Sequence, residues 1–183
     1  MIYILPTDTC FGIGCAIYDT KSYHKIYKLK KRDLKKPLAI MVEDFDFLEK
    51  YTSLNKEQIN FLKNYEKPFS VITSCPNIEM MLNLGEDEFV YENKEIYKNI
   101  SFRVANNEIQ KNLIKEIGPI FLTSANISGK PEIYDINNAK EIFAQNKDIT
   151  FLGENIVLDK DIKPSDIIEF IKESLEVKYL RKF

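Results

Sequence analysis

Histidine is nearly absent from this sequence of 183 residues, and tryptophan is absent altogether. The single histidine, His24, lies in a lysine-rich stretch, which argues against a Ser-His-Asp or Cys-His catalytic arrangement. The three cysteines, Cys10, Cys15 and Cys75, are odd in number and lack the spacing of metal ligands, so we expect neither a disulfide scaffold nor a zinc site. The phosphate-binding patterns G-x-x-x-x-G-K-[ST] and G-x-G-x-x-G are also missing. Any active site is therefore built from other side chains.

Long apolar runs are missing as well. The N-terminal apolar run ends at Pro6 and carries no basic residue, so we expect neither a signal peptide nor a membrane span, and a cytoplasmic location. Hydrophobic residues make up 44% of the sequence and charged residues 30%, which is typical of globular proteins. Because no repeat or Pro/Gly/Ser-rich linker divides the chain, we predict a single domain over residues 1–183.

Positive charge is concentrated in one segment. Residues 21–36 hold eight of the 26 basic residues and a single acid, Asp33, although the whole chain has a net charge of −2. Such a run is commonly the solvated face of a helix. It is also suited to binding phosphates, and the composition alone leaves both interpretations open.

Hydrophobic periodicity predicts alternating strands and helices. The predicted strands are residues 2–5, 37–42, 69–73, 101–105, 119–123, 155–159, 165–170 and 177–181. The predicted helices are residues 22–30, 45–51, 56–64, 107–117 and 136–145, and the acidic residues 77–98 are interpreted as an exposed irregular segment. This order favours an α/β or α+β fold, with a sheet flanked by helices. Ligands of such sheets bind beyond strand ends, where polar clusters are therefore of interest.

Three polar pairs share a spacing of two residues: Thr7 and Thr9, Lys30 and Arg32, and Ser124 and Asn126. Residues two apart project to the same side only in an extended chain, so each pair can converge on one ligand only if its backbone is locally extended. Each pair taken alone is also explained by a turn, a helix end or a cap. Together they supply cations, hydroxyls and an amide, which is the inventory expected for a phosphate-bearing substrate.

Four motifs occur in order: PTDTCFGIG at residues 6–14, KKRDLKKPLAIMV at 30–42, SFRVA at 101–105 and TSANISG at 123–129. They are followed by PSDI at residues 164–167 and LRKF at 180–183. With these motifs the chain resembles the short, single-domain form of the YrdC/TsaC family of threonylcarbamoyl-AMP synthases. The resemblance implies a twisted mixed sheet flanked by helices, with a concave, positively charged cavity.

The resemblance also implies a reaction. L-Threonine, bicarbonate and ATP, the last with Mg²⁺, would give threonylcarbamoyl-AMP and pyrophosphate, with no tightly bound cofactor. The product would serve tRNA threonylcarbamoyladenosine modification, completed by proteins of a threonylcarbamoyl-transfer complex. The chain itself would contact tRNA only indirectly or weakly. The alternative function is a non-catalytic protein of the same fold that binds double-stranded RNA or tRNA through residues 21–36.

Roles for individual residues follow from the matched motifs. The resemblance implies catalytic and nucleotide-binding roles for the two central pairs, Lys30 with Arg32 and Ser124 with Asn126. It places Lys36 and Arg181 near ATP as well. It implies threonine-binding roles for Thr7, Thr9, Arg103 and Ser165, and no metal site made by protein ligands. One departure concerns a W-P-G-P-x-T stretch of relatives, which reads YEKPFS at residues 65–70 here, so we expect an altered wall of the cavity.

Overall fold

A computed structural model describes residues 1–76, 99–143 and 145–183, and the predicted irregular segment at residues 77–98 lies outside them. The strands are β1 (Ile2–Pro6), β2 (Phe11–Ala16), β3 (Ala39–Val42), β4 (Phe69–Ser74), β5 (Asn99–Val104), β6 (Ile120–Ser124), β7 (Ile149–Phe151), β8 (Asp166–Phe170) and β9 (Val177–Arg181). The helices are α1 (Thr20–Lys30), α2 (Phe45–Tyr51), α3 (Lys56–Lys63), α4 (Glu108–Ile117) and α5 (Ile136–Phe143). No helix in these ranges has the length and apolarity needed to cross a membrane.

All described strands join one mixed sheet, which confirms the predicted fold class. Its order is β7-β1-β2-β6-β3-β5-β4-β8-β9. The pairs β1–β7, β3–β5 and β4–β8 are parallel, and the remaining neighbours are antiparallel. Strands distant in sequence are thereby brought together, as in the neighbouring pairs β1–β7, β2–β6 and β4–β8.

One predicted strand was wrong, and two observed strands were not predicted. Residues 155–159 do not form a strand, because this segment makes only an isolated bridge between Asp135 and Val157. Strands β2 and β7 were not predicted. In β2 the glycines Gly12 and Gly14 weaken the strand signal of the sequence. Gly14 is required by packing, since a Cβ there would lie 2.3 Å from the carbonyl oxygen of Phe121 on neighbouring β6.

The two faces of the sheet carry different cores. The larger core lies on the face that includes Phe121 and Ile13 and is covered mainly by α1, α2, α3 and α5. The smaller core lies on the opposite face, where Leu122 packs with Leu113 and Ile114 of α4. Alternation of side chains along each strand assigns neighbouring residues to opposite faces. Helix α4 covers only part of its face, and the rest is available for a cavity.

Small side chains keep this second face open. The register pairs Gly12 with Ser124, and Ala39 with Leu122. Farther along the sheet it pairs Ser101 with Ile72, Ser70 with Ile167, and Ile167 with Arg181. Directly paired residues project to the same face, so the register aligns these side chains in a row across the sheet. The row forms the floor of the first of the two concavities described below.

Candidate active site

Two adjoining hollows lie at this face. The first, called here the inner cavity, has a volume of about 340 Å³ and is lined by Thr7, Thr9, Arg103, Ser165 and Arg181, among others. The second, called the outer hollow, has a volume of about 380 Å³ and is lined by Lys30, Lys36, Asn126 and their neighbours. Arg32 and Ser124 line both. All ten residues assigned to a site from the sequence therefore lie in one continuous concave region.

The turn after β1 orients the first polar pair. The Thr7 hydroxyl donates to the carbonyl oxygen of Cys10 at 2.6 Å and accepts from the backbone N–H of Thr9 at 3.2 Å. The Thr7 and Thr9 hydroxyl oxygens are 3.2 Å apart, so this pair converges, but in a turn and not in the extended segment that was expected. The turn is held from below by Gln110 of α4, whose side chain donates to the carbonyl oxygen of Pro6 at 2.9 Å. Thr7 thus has the structural role of a turn residue as well as a place in the cavity wall.

Two guanidinium groups meet at Ser165. The Ser165 hydroxyl accepts from Arg103 at 3.2 Å and from Arg181 at 2.9 Å. Arg181 also donates to the Ser165 carbonyl oxygen at 2.8 Å, and Arg103 forms an ion pair with Asp8. Burial, reinforced by the charge of Arg103, lowers the pKa of Arg181. Arg181, which the resemblance places near ATP, lies with the residues it assigns to threonine.

The expected extended geometry of Lys30 and Arg32 was wrong. Lys30 is the last residue of α1, and Lys31 adopts a left-handed conformation with φ of 51°. The N–H groups of Lys31 and Arg32 donate back to the carbonyl oxygens of Lys28 and Tyr27, which is the hydrogen-bond pattern of a Schellman cap. The chain therefore turns between Lys30, which is buried, and Arg32, which is half-buried.

Lys30 supports the loop that follows β6. Its side chain is 1% exposed, and its ammonium donates to the carbonyl oxygens of Ser124 and Asn126, the latter at 2.5 Å. It also lies 3.5 Å from the side-chain oxygen of Asn126. The backbone N–H of Ser128 donates in return to the Lys30 carbonyl oxygen at 2.9 Å. Burial lowers the pKa of Lys30 to about 8, with a further contribution from Arg32.

Ser124 and Asn126 converge as predicted, but at a bend that directly follows β6 and not in an extended segment. The Ser124 hydroxyl donates to the Asn126 side-chain oxygen at 2.6 Å, and the Asn126 amide nitrogen donates to the Lys130 carbonyl oxygen at 2.5 Å. Arg32 is positioned by donating to the carbonyl oxygens of Lys36 at 3.2 Å and Pro37 at 3.0 Å. The loop after β6 and the segment after α1 thus form the two walls of the outer hollow.

The basic segment at residues 21–36 is not one uniform solvated face. Lys30 is buried, Lys25 forms a 2.8 Å ion pair with Asp148, and Arg32 and Lys36 line the outer hollow. Much of its charge is directed to the concave region. This distribution does not favour the alternative of an RNA-binding surface built from the whole segment.

The wall at residues 65–70 is held by contacts of Tyr65 with the segment around Asp166. The Tyr65 hydroxyl donates to the buried carboxylate of Asp166 at 2.5 Å, and the backbone N–H of Phe183 donates to the other carboxylate oxygen at 2.8 Å. Ser70 lines the inner cavity. Asp166 therefore ties this wall to the segment that carries Arg181.

Several lining residues were missed from the sequence. Ser101 shares a strand face with Arg103, so period-two alternation could have identified it. Glu132 carries no sequence signal beyond following the TSANISG motif. Cys10 lines the inner cavity as a thiol, because burial, together with the charge of Glu132, raises its pKa to about 11. Within the described ranges, no cluster of three acidic, histidine or cysteine side chains could hold a metal ion.

The fold and these side chains define an α/β protein with a cation-lined cavity on one sheet face. A family model for Sua5, YciO and YrdC proteins, described as telomere recombination, matches residues 1–182, and the chain belongs to this family.

Named proteins are similar to this chain in sequence, and solved structures share its fold. A protein of Buchnera aphidicola named threonylcarbamoyl-AMP synthase is 29% identical over 93% of this chain and 92% of its own length. A putative threonylcarbamoyl-AMP synthase of Methanocaldococcus jannaschii is 29% identical over 92% of this chain and 73% of its own length. The crystal structure of Escherichia coli YciO matches with a TM-score of 0.75 at 20% identity, over 99% of this chain and 82% of that one. Sua5 of P. abyssi, solved with L-threonine, matches with a TM-score of 0.70 at 24% identity, over 98% of this chain and 49% of that one.

Proposed function

We propose that this chain is an L-threonylcarbamoyladenylate synthase, which forms threonylcarbamoyl-AMP and pyrophosphate from L-threonine, bicarbonate and ATP. Relatives covering most of the chain carry the name of this activity. The structural observation that supports it is the joining of two hollows at Arg32 and Ser124. One hollow offers the groups needed by an amino acid and the other offers those needed by a nucleotide.

The inner cavity suits threonine. Arg103 and Arg181 converge on the Ser165 hydroxyl and can present their remaining N–H groups to a carboxylate. The hydroxyls of Thr7 and Thr9 lie in the same cavity and suit the substrate hydroxyl. A related protein, Sua5 of P. abyssi, has been solved with L-threonine, which supports this choice of substrate.

The outer hollow suits ATP. Arg32, Lys36 and the hydroxyl of Ser124 line it and match the charge and hydrogen-bonding needs of phosphates. Lys30 acts mainly by holding the carbonyl groups of Ser124 and Asn126, and so shapes the loop that faces the nucleotide. Mg²⁺ would enter as part of the Mg-ATP substrate, coordinated by the phosphates.

The reaction needs no protein nucleophile. The threonine amine and bicarbonate form a carbamate with loss of water, a carbamate oxygen attacks the α-phosphorus of ATP, and pyrophosphate leaves. The chain aligns the reactants at the junction of the hollows and stabilises the developing negative charge with Arg32 and hydrogen-bond donors near Ser124. The product would then pass to the proteins that transfer it to tRNA.

The test is a pyrophosphate-release assay with purified protein, Mg-ATP, bicarbonate and labelled L-threonine. We expect release that depends on both threonine and bicarbonate, and labelled threonylcarbamoyl-AMP as product. Replacement of Arg32 by alanine should lower turnover about 100- to 1,000-fold, as expected for the loss of one electrostatic contact in the transition state. Lys28→Ala is the matched control, because Lys28 is exposed on α1 and lines neither hollow. Pyrophosphate release that does not depend on threonine or on bicarbonate would refute the proposal.

A further inference from the structure

The lining of the inner cavity includes three arginines, Arg32, Arg103 and Arg181, but a single carboxylate in the part of the chain that the structure describes. That carboxylate belongs to Glu132. The nearby carboxylate of Asp8 does not provide a second free negative charge, because Arg103 holds it in an ion pair. Glu132 is therefore an isolated anion in a cationic site, and its presence calls for a chemical reason.

Two contacts place Glu132 in the cavity wall. The carbonyl oxygen of the next residue, Ile133, accepts from the backbone N–H of Phe11 at 2.7 Å, which fixes the segment beside the start of β2. The Tyr134 hydroxyl donates to the Glu132 carboxylate at 3.0 Å. The backbone and one oxygen of the carboxylate are therefore held, and Glu132 is only half-buried, so it remains accessible to a ligand.

The groups around Glu132 show where its charge acts. Cys10, Lys30 and Arg181 all lie within electrostatic range of this carboxylate. Cys10 belongs to the turn that contains Thr7 and Thr9, and Arg181 belongs to the guanidinium pair at Ser165. Glu132 thus lines the same cavity as the turn and the guanidinium pair to which we assign the amino-acid substrate.

An α-amino acid brings both charges into this space. Its carboxylate suits the guanidinium pair, but its ammonium, attached to the adjacent carbon, is repelled by that pair unless an anion is close. We propose that Glu132 binds the α-ammonium group of the substrate, and so selects an amino acid over the same acid without its amino group. This inference rests on the proposed function and adds a specificity-determining residue to it.

Equilibrium binding of two ligands separates this role from a structural one. L-Threonine carries the ammonium, whereas 3-hydroxybutanoate keeps the carboxylate and hydroxyl but lacks the amino group. Calorimetric titration should show that Glu132→Gln weakens threonine binding about 10- to 100-fold, as for the loss of a charge-assisted hydrogen bond, and changes binding of 3-hydroxybutanoate less than about twofold. Glu141→Gln, an exposed residue of α5, is the matched control and should leave both affinities unchanged.

The other outcomes are distinguishable. Equal weakening of both ligands by Glu132→Gln would assign a structural role to Glu132 and overturn the inference, as would unchanged threonine binding. Selective loss of threonine binding in Asp8→Asn, with Glu132→Gln silent, would overturn it in favour of Asp8. A wild-type protein that binds neither ligand would overturn the proposed function together with this assignment.

Discussion

Replacement of Lys30 by methionine tests whether this residue supports the loop or acts on the substrate directly. Methionine keeps an unbranched, apolar side chain of similar reach but removes the ammonium group. The carbonyl oxygens of Ser124 and Asn126 then lose a donor at a site where the Lys30 side chain is only 1% exposed. We expect the loop after β6 to become less stable and the outer hollow to change its shape.

The loss of stability in Lys30→Met can be estimated from the hydrogen bonds that the ammonium group makes. Each buried carbonyl group left without a donor costs about 1–3 kcal/mol, which gives a loss of about 2–6 kcal/mol for the two. Removal of a buried charge offsets part of this loss, because burial lowers the pKa of Lys30 to about 8 and is therefore unfavourable to the ammonium form. We expect a decrease of about 2–4 kcal/mol in the free energy of unfolding at pH 7.

Urea denaturation and ATP binding, measured on the same preparations, provide the assay. Arg32→Met is the comparison, because Arg32 is half-buried and its donors reach carbonyl groups of an exposed segment. It should weaken ATP binding but lower stability by less than about 1 kcal/mol. A Lys30→Met protein that keeps wild-type stability and loses only turnover would refute the anchoring argument.

The pH dependence gives an independent check on Lys30. In the native protein its pKa is about 8, whereas the ordinary value is 10.5. Between these values the unfolded chain binds the proton and the native chain does not, so this group makes the free energy of unfolding rise with pH. The stability difference between wild type and Lys30→Met should therefore grow from about pH 8 to pH 10.5. A difference that stays constant would contradict burial of the charged form.

Two further predictions concern stability. Gly14→Ala should lower the free energy of unfolding by about 1–3 kcal/mol in urea denaturation, because its Cβ would lie 2.3 Å from the Phe121 carbonyl oxygen; an unchanged midpoint would contradict this packing. Asp166→Asn tests the wall contact with Tyr65: burial alone would raise the pKa of Asp166, but hydrogen bonds from Tyr65 and from the Phe183 N–H lower it overall. The stabilisation is present above the unfolded-state value of 3.8 and is lost as pH falls through the lower native pKa. The loss in free energy of unfolding caused by Asp166→Asn should thus become smaller in acid. A loss that does not depend on pH would refute the stabilising role of the Asp166 carboxylate.

Local sequence patterns were sufficient to predict many of the helices and strands. Helices such as α2 were predicted with their observed bounds, because apolar spacing and a capping Asp44 agree with the tertiary structure. Strand β2 was missed because its two glycines make it a poor strand by propensity. They are tolerated because its six residues are all buried between β1 and β6. That information lies in long-range packing and is not contained in the segment itself.

In the candidate site, too, the sequence predicts which residues take part but not the long-range contacts that they make. All ten residues that the sequence motifs identified lie in one concave region, but the motifs did not reveal what each side chain contacts. The turn that separates Lys30 from Arg32 depends on a left-handed Lys31, a conformation that sequence rarely indicates outside glycine. The ion pair between Asp8 and Arg103 joins residues 95 positions apart. Such pairing depends on sheet order, which the periodicity of the separate strands does not determine.

Strand β9 lies at the edge of the sheet, so ligand binding in the inner cavity is coupled to the pairing of this strand with the sheet. In the described part of the chain this strand has one hydrogen-bonded neighbour, β8, and it carries Arg181 into the inner cavity. Local opening of an edge strand requires less free energy than global unfolding, and here it would withdraw a guanidinium from the ligand. Any ligand that contacts Arg181 must therefore stabilise the closed strand by mass action. Slower amide hydrogen exchange in β9 would then report the binding of such a ligand.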